Sequence, residues 1–459
     1  MCYADGVDLE RIFSVMISHP AQTHFQSSQM DAQWFAQAQT IMVEPYKWLK
    51  ADNHTQERDR FLAEESRNPR FTYDISEDVI SERMQKLVSL KMEVMSFTPQ
   101  TEEERVMKDM YRQFIASQSQ KLQMLYSVAR GDDVTFRMHS YGAYGALDRE
   151  ICAFSVRNVK LASLKDTIGW QREAYESLQR TFAQAREHLG EVVVHIPAIT
   201  KLTETIEEKS TQSMPALLAE EVKRYFEEYL SERNLNAWTV CIDETGKQNS
   251  LNTSQEEKIV WIPCDERLKE RAEPFTADKM HALAVHEVGV HALRRERGEQ
   301  LPIALAGLGL TNYLESEEGL TTAWEQKILG AYPRYRSWVR YLAMAYACGN
   351  LTGEERDFRD TFEFLTFLLA LENPSRSENW CRNQAWKHAW RIFRGSTGQT
   401  PGALFMKDQV YREGNIKVWK TVSKDGLSLD DSCLYAGKFD ITNPQQWDWL
   451  RTIGAFQSS

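Results

Sequence analysis

His286-Glu287-Val288-Gly289-Val290-His291 sets two imidazoles five residues apart, with a carboxylate directly after the first. Glu317-Glu318-Gly319-Leu320 follows some 26 residues later. Two neutral imidazoles and one carboxylate are a common ligand set for catalytic zinc, and they leave a fourth position open for water. A further carboxylate beside such an ion can take a proton from that water. The familiar arrangement is His-Glu-x-x-His, in which ligands four apart share one helix face. Here the spacing is one residue longer.

On a regular α-helix positions i and i+5 point roughly 140° apart, too far for both rings to reach one small ion. A single π-turn, with about 4.4 residues per turn, returns them to roughly 50°. The spacing therefore predicts a π-bulge or similar widened turn between His286 and His291, eased by Gly289. Histidines also scatter along helices without any ligand role, and His281 is a spare one in the same stretch. The downstream glutamate pair is what tips the reading toward a metal site.

The chain has 459 residues, with 26% charged and 42% hydrophobic, the profile of a globular protein with a substantial core. Its net charge of −11 argues against a general nucleic-acid or membrane-surface binder. There is no apolar run of about 18 residues, so no transmembrane helix is expected. Met1 to Gly6 lacks the basic and apolar regions of a signal peptide. The seven cysteines are scattered and never form Cys-x-x-Cys, which predicts reduced thiols and a cytoplasmic location.

Apolar residues recur at helical spacing over Val79 to Met95, Glu102 to Leu125 and Trp170 to Leu189. This N-terminal α-helical region, residues 1–189, shows no constellation that carries chemistry; His139 and Tyr141 read as structural. The texture changes at Glu191 to Ile196, a β-branched run that suits a strand, and Pro215 to Leu230 reads as a helix. Trp238 to Ile242 and Lys258 to Ile262 suit a strand pair next to the helix that carries the histidines. That helix should begin after Pro274, with Thr276 as N-cap, and end near Gly298. Beyond it, helices are expected through Ile328, over Arg334 to Tyr346, Asp357 to Leu371 and Trp380 to Phe393. Gln409-Val410-Tyr411 and Ile416-Lys417-Val418-Trp419 read as short extended segments.

If His286 and His291 bind zinc, the third ligand should come from a second helix facing the first. Glu318 suits this better than Glu317, because Gly319 permits close approach of the two backbones. Glu317 would then accept a ring N–H from a ligand histidine. Glu287 remains as general base, taking a proton from water and delivering it to the leaving amine. Arg294 and Arg295, at the end of the histidine helix, suit its C-terminal dipole and are set aside as site residues.

His-Glu-x-x-x-His followed by Glu-Glu-Gly-Leu resembles the QEGLA-motif family, which includes the microtubule-associated tyrosine carboxypeptidases. Arg391-Ile392-Phe393-Arg394-Gly395 and Lys407-Asp408-Gln409-Val410-Tyr411-Arg412-Glu413-Gly414 are similar to that family's later signature. The resemblance covers about residues 190 to 440; the N-terminal helices match it only loosely. It implies His286, His291 and Glu318 as zinc ligands and Glu287 as catalytic base. Thr321 stands where the namesake motif has Ala, and Met406 replaces the usual Thr. The fold expected is α+β and predominantly helical. A zincin-like metallopeptidase core with a small mixed sheet would occupy residues 190–459, behind the N-terminal helical region.

A carboxypeptidase also needs a cation for the substrate's terminal carboxylate, and Arg391, Arg394 and Lys407 are the candidates in the family-like segment. Tyr411 could donate to the developing oxyanion. The leading reading is thus a zinc-dependent (Zn2+) carboxypeptidase that removes tyrosine or another terminal residue from a protein or peptide. An aminopeptidase would instead need an acidic anchor, which Glu315 or Glu317 could provide. The family's eukaryotic members act on α-tubulin, but the acidic balance and lack of a long basic arm argue against tubulin here. The alternative from another class is a non-enzymatic regulatory or interaction protein with a structural or inactive zinc site. Retention of Glu287 speaks against it, since a structural site has no use for a base.

Overall fold

The computed structural model describes residues 28–193, 217–248, 250–270, 277–330 and 337–456. They form a predominantly helical molecule with one small sheet. The N-terminal region contributes α1 (Ser28–Ile41), α2 (Glu77–Ser96), α3 (Glu102–Ala129), α4 (Asp133–Tyr144) and α5 (Trp170–Leu189). Local chemistry sets several of their starts. Thr101 and Glu104 form a reciprocal capping box on α3, and Ser76 and Asp132 cap α2 and α4.

After α6 (Ala219–Ser231) come β1 (Thr239–Asp243), β2 (Asn252–Ser254) and β3 (Ile259–Pro263), in the spatial order β1-β3-β2. β1 and β3 are parallel, with Val240 opposite Val260, while β2 and β3 are antiparallel, with Thr253 opposite Val260. The expected strand pair is present. β2, hidden in the polar stretch Asp243 to Glu257, had no apolar alternation to reveal it.

The histidine helix is three joined segments: α7 (Ala277–Ala284), a π-helical segment (Val285–Ala292) and α8 (Leu293–Glu299). The widened turn demanded by the His286–His291 spacing therefore extends over the eight residues Val285–Ala292. α9 (Tyr313–Leu329) packs against the π segment on one side and against α13 (Val410–Asp425) on the other. Between α9 and α13 in sequence lie α10 (Trp338–Ala347), α11 (Phe358–Glu372) and α12 (Glu378–Phe393). Residues 194–196 of the strand expected at Glu191 to Ile196, the Thr276 cap and the start at Arg334 fall outside the described residues.

One reading is corrected. Gln409 to Tyr411 and Ile416 to Trp419 are not extended: a 3-10 turn, Met406–Gln409, runs directly into α13. The β-branched Ile416 and Val418 suggested strand, but both are fully buried on a helix. Tertiary burial overrides that weak local preference. The helix is held by backbone contact, because Gly414 lies directly on the Glu315 carbonyl and Gly319 on Gly414. Neither position has room for a Cβ.

The buried apolar residues form two clusters. One joins α1–α3, the sheet, the π segment and α9; the other joins α5 and α10–α12. Each draws on residues from before and after residue 190. No helix among the described residues is long and apolar enough to cross a membrane.

Candidate metal centre

The π segment turns His286 and His291 to one side, with ring centroids 5.0 Å apart. α9 brings Glu318 to them, and one donor atom from each of these three residues lies within 4.8 Å of the others. Each ring is oriented from behind. His286 Nδ1 lies 2.9 Å from Glu325 Oε1, and His291 Nδ1 lies 2.8 Å from Glu317 Oε1. A carboxylate at Nδ1 keeps the proton there and leaves the Nε2 lone pair free, the tautomer a metal ligand needs. Glu325 is one heptad after Glu318 and so shares its face of α9. That spacing is legible in the sequence itself.

The geometry separates the two adjacent glutamates. Glu318 joins the donor cluster, whereas Glu317 is fully buried among His291, Lys438 at 3.2 Å and Arg294 at 3.5 Å. Burial alone would push the Glu317 carboxyl up; Lys438, His291 and Arg294 outweigh it and hold it down at about 2. Burial likewise opposes charging of His286, but Glu325, Glu287 and Glu318 raise its pKa to about 9. The centre is therefore rich in negative charge and calls for a cation.

Glu287 lies beside the cluster without belonging to it. Thr253 Oγ1 on β2 donates to Glu287 Oε2 at 2.7 Å. The unforeseen strand thus orients the carboxylate next to His286. Arg294, set aside as suiting the helix dipole, is fully buried and donates to the carbonyls of Gly437 (2.8 Å) and Phe439 (2.6 Å). Lys438, Thr253 and Gln255, which donates to Glu317 at 3.3 Å, went unnoticed because nothing in their local sequence marks them.

A cavity of about 640 Å³ opens in front of these groups and also includes Tyr411, Lys407, Arg391 and Arg394. The four differ in what holds them. Arg391 is tied to Asp408, which also binds Arg340 at 2.6 Å. Lys407 donates to the Tyr411 hydroxyl at 3.4 Å and lies 5.1 Å from its ring centroid. Arg394 rests over Phe405. Glu318, more than burial, pushes the Tyr411 hydroxyl up, so it stays protonated and able to donate. His281 pairs with Tyr225 and His139 with Gln120, in keeping with structural roles. The N-terminal region is not chemically silent: Glu44, Tyr46 and Lys121 line the same cavity.

Asp408 carries a testable consequence. Burial would raise its carboxyl, but Arg340, Arg391 and Lys407 hold it far below its ordinary 3.8. A depressed folded-state pKa contributes stability that is complete above the unfolded value and lost as the pH falls below it. Asp408→Asn should cost roughly 2 kcal/mol at pH 7, and the gap to wild type should narrow below about pH 4. Urea unfolding at pH 7 and pH 3 measures this; an equal difference at both would rule it out.

No curated protein matches the chain. The family model described as microtubule-associated tyrosine carboxypeptidase matches residues 171–458, a longer span than the 190 to 440 read from the motifs. That span contains the π segment, Glu317 and Glu318 of α9 and the whole Lys407 to Gly414 run. With well over half its length matched and its donors converged on one cavity, the chain belongs to the microtubule-associated tyrosine carboxypeptidase family, a family of peptidases.

Proposed function

We propose that this protein is a zinc-dependent carboxypeptidase acting on the C-terminus of a protein or peptide. The observation that carries the proposal is Glu287: a carboxylate oriented by Thr253, beside two imidazoles and a carboxylate but outside their cluster. His286, His291 and Glu318 would hold the ion, and three protein donors leave a position free. The edge strand β2 lying along the donor helix supports a zincin-like core for residues 190–459.

When bound, zinc would polarise the scissile carbonyl and acidify a water molecule. Glu287 accepts the water proton as the oxygen bonds to the carbonyl carbon. As the C–N bond breaks, Glu287 returns that proton to the departing amine. Tyr411, kept protonated, donates a hydrogen bond to the oxygen that gains charge. Lys407 and Arg394, neither engaged in an ion pair among the described residues, are suited to the terminal carboxylate. Arg391 is less so, because Asp408 already neutralises it. Tubulin is not favoured by the overall charge, although the cavity itself carries these cations.

Zinc stoichiometry and cleavage of a peptide library with free C-termini test the proposal; stoichiometric zinc with no cleavage would favour the non-enzymatic reading. A second measurement isolates the ring-orienting carboxylates. Glu325→Gln keeps a hydrogen-bond acceptor at His286 Nδ1 but removes the charge, and should weaken zinc binding about 10- to 100-fold in a chelator competition. Unchanged affinity would exclude Glu325 from supporting the site.

A further inference from the structure

Around the histidines the cavity is anionic, and every carboxylate lining it other than Glu318, one of the three clustered donors, has a hydrogen-bond or ion-pair partner. Glu287 accepts from Thr253, Glu317 from Lys438, and both Glu315 and Glu413 from Lys417. Lys121, on α3, lines the same cavity. It is half-buried and makes no hydrogen bond or ion pair among the described residues. Glu44 is the carboxylate whose charge it feels, but Glu44 is already engaged by Lys47 at 2.8 Å and by the Tyr46 hydroxyl at 2.9 Å.

We infer that Lys121 is a specificity-determining residue that binds a carboxylate of the peptide substrate. The inference rests on the peptidase reading and extends it to a residue outside the span 171–458 that matches the family. Keeping an ammonium partly dehydrated without a counter-charge is costly, and such a group in a cleft is a candidate ligand site. Burial, together with the neighbouring cations Lys438 and Lys407, lowers the Lys121 pKa to about 8 despite Glu44. The side chain is therefore still mostly charged at neutral pH, and an incoming carboxylate would relieve both penalties.

The position is not accidental to one side chain. Gln118, one turn earlier on α3, accepts from the Val43 amide at 3.0 Å and so fixes the Glu44–Tyr46 segment over the cavity. A peptide with its scissile carbonyl at the histidines would share the cavity with Lys121, whose ammonium is then available to a negative charge on that peptide. That charge could be the terminal carboxylate or an acidic side chain, and the two have the same chemistry.

The test uses the full chain carrying Glu287→Gln, loaded with zinc, so that peptides bind without turnover. The probe is a fluorescein-labelled octapeptide ending in phenylalanine with one internal glutamate. It is made in three forms: free acid, C-terminal amide, and glutamine for glutamate. Fluorescence anisotropy reads the affinity. Lys121→Met should weaken the free-acid form about tenfold or more, and Lys121→Arg should keep it within about threefold. One neutralised form should bind wild-type and Met variants alike, and which one identifies the carboxylate. Equal weakening of all three forms, no weakening, or no binding of any form would overturn the inference. Failure of the peptidase reading is read separately, as no cleavage of any form by the zinc-loaded wild-type chain.

Discussion

Glu287→Gln should lower kcat about a thousandfold while leaving zinc bound and the fold intact. The substitution is nearly isosteric, and the amide oxygen can still accept from Thr253 Oγ1, so the side chain stays where it is. His286, His291 and Glu318 are untouched, and so are Glu325 and Glu317 behind the rings. What disappears is a group able to accept a proton from water and return it to the amine. The loss should fall on kcat rather than KM, because Glu287 is asked to act only as bonds change. Peptide hydrolysis beside metal analysis of both proteins checks this. Cleavage at the wild-type rate would remove Glu287 from the mechanism.

Gly414→Ala should destabilise the protein by roughly 3 kcal/mol or more and weaken the metal centre with it. A methyl at Gly414 would overlap the Glu315 carbonyl oxygen and lie 2.9 Å from its carbon and 3.1 Å from the Gly319 amide nitrogen. The obstacle is backbone on both sides, so no rotamer change relieves it. Replacing glycine by alanine inside a helix would ordinarily gain about 1 kcal/mol. Here the overlap must force α13 away from α9, and that cost exceeds the gain. Because Glu318 adjoins Gly319, separating the helices also moves a donor out of the cluster. Thermal unfolding and zinc affinity measured together test the coupling. A variant as stable as wild type would show that the helices can part without penalty.

Much of this centre is a matter of spacing along single helices. Five residues between imidazoles require a widened turn if both rings are to face one point, and Val285–Ala292 is π-helical. Glu318 joins the two rings as expected, but the glycine after it lets its helix approach α13 rather than the histidine helix. Glu325 is equally legible, one heptad beyond Glu318. By contrast, Ile416-Lys417-Val418-Trp419 misled, since β-branched residues favour strand only until a buried helical face outweighs that preference.

Other features depend on residues distant in the chain. Thr253 reaches Glu287 only because β2 pairs with β3 and so lies beside the π segment. Lys438 meets Glu317 across a long separation, and Lys121 faces the cavity from a helix whose pattern reports only its own buried side. Sequence periodicity fixes angles around one helix axis and so points to the candidate donors and their widened turn, whereas the contact of Gly319 is with Gly414 of α13 and not, as expected, with the histidine helix. Periodicity holds no information on which faces meet. The orientation of Glu287, the counter-charge on Glu317 and the presence of Lys121 in the same cavity were therefore decided by tertiary packing alone.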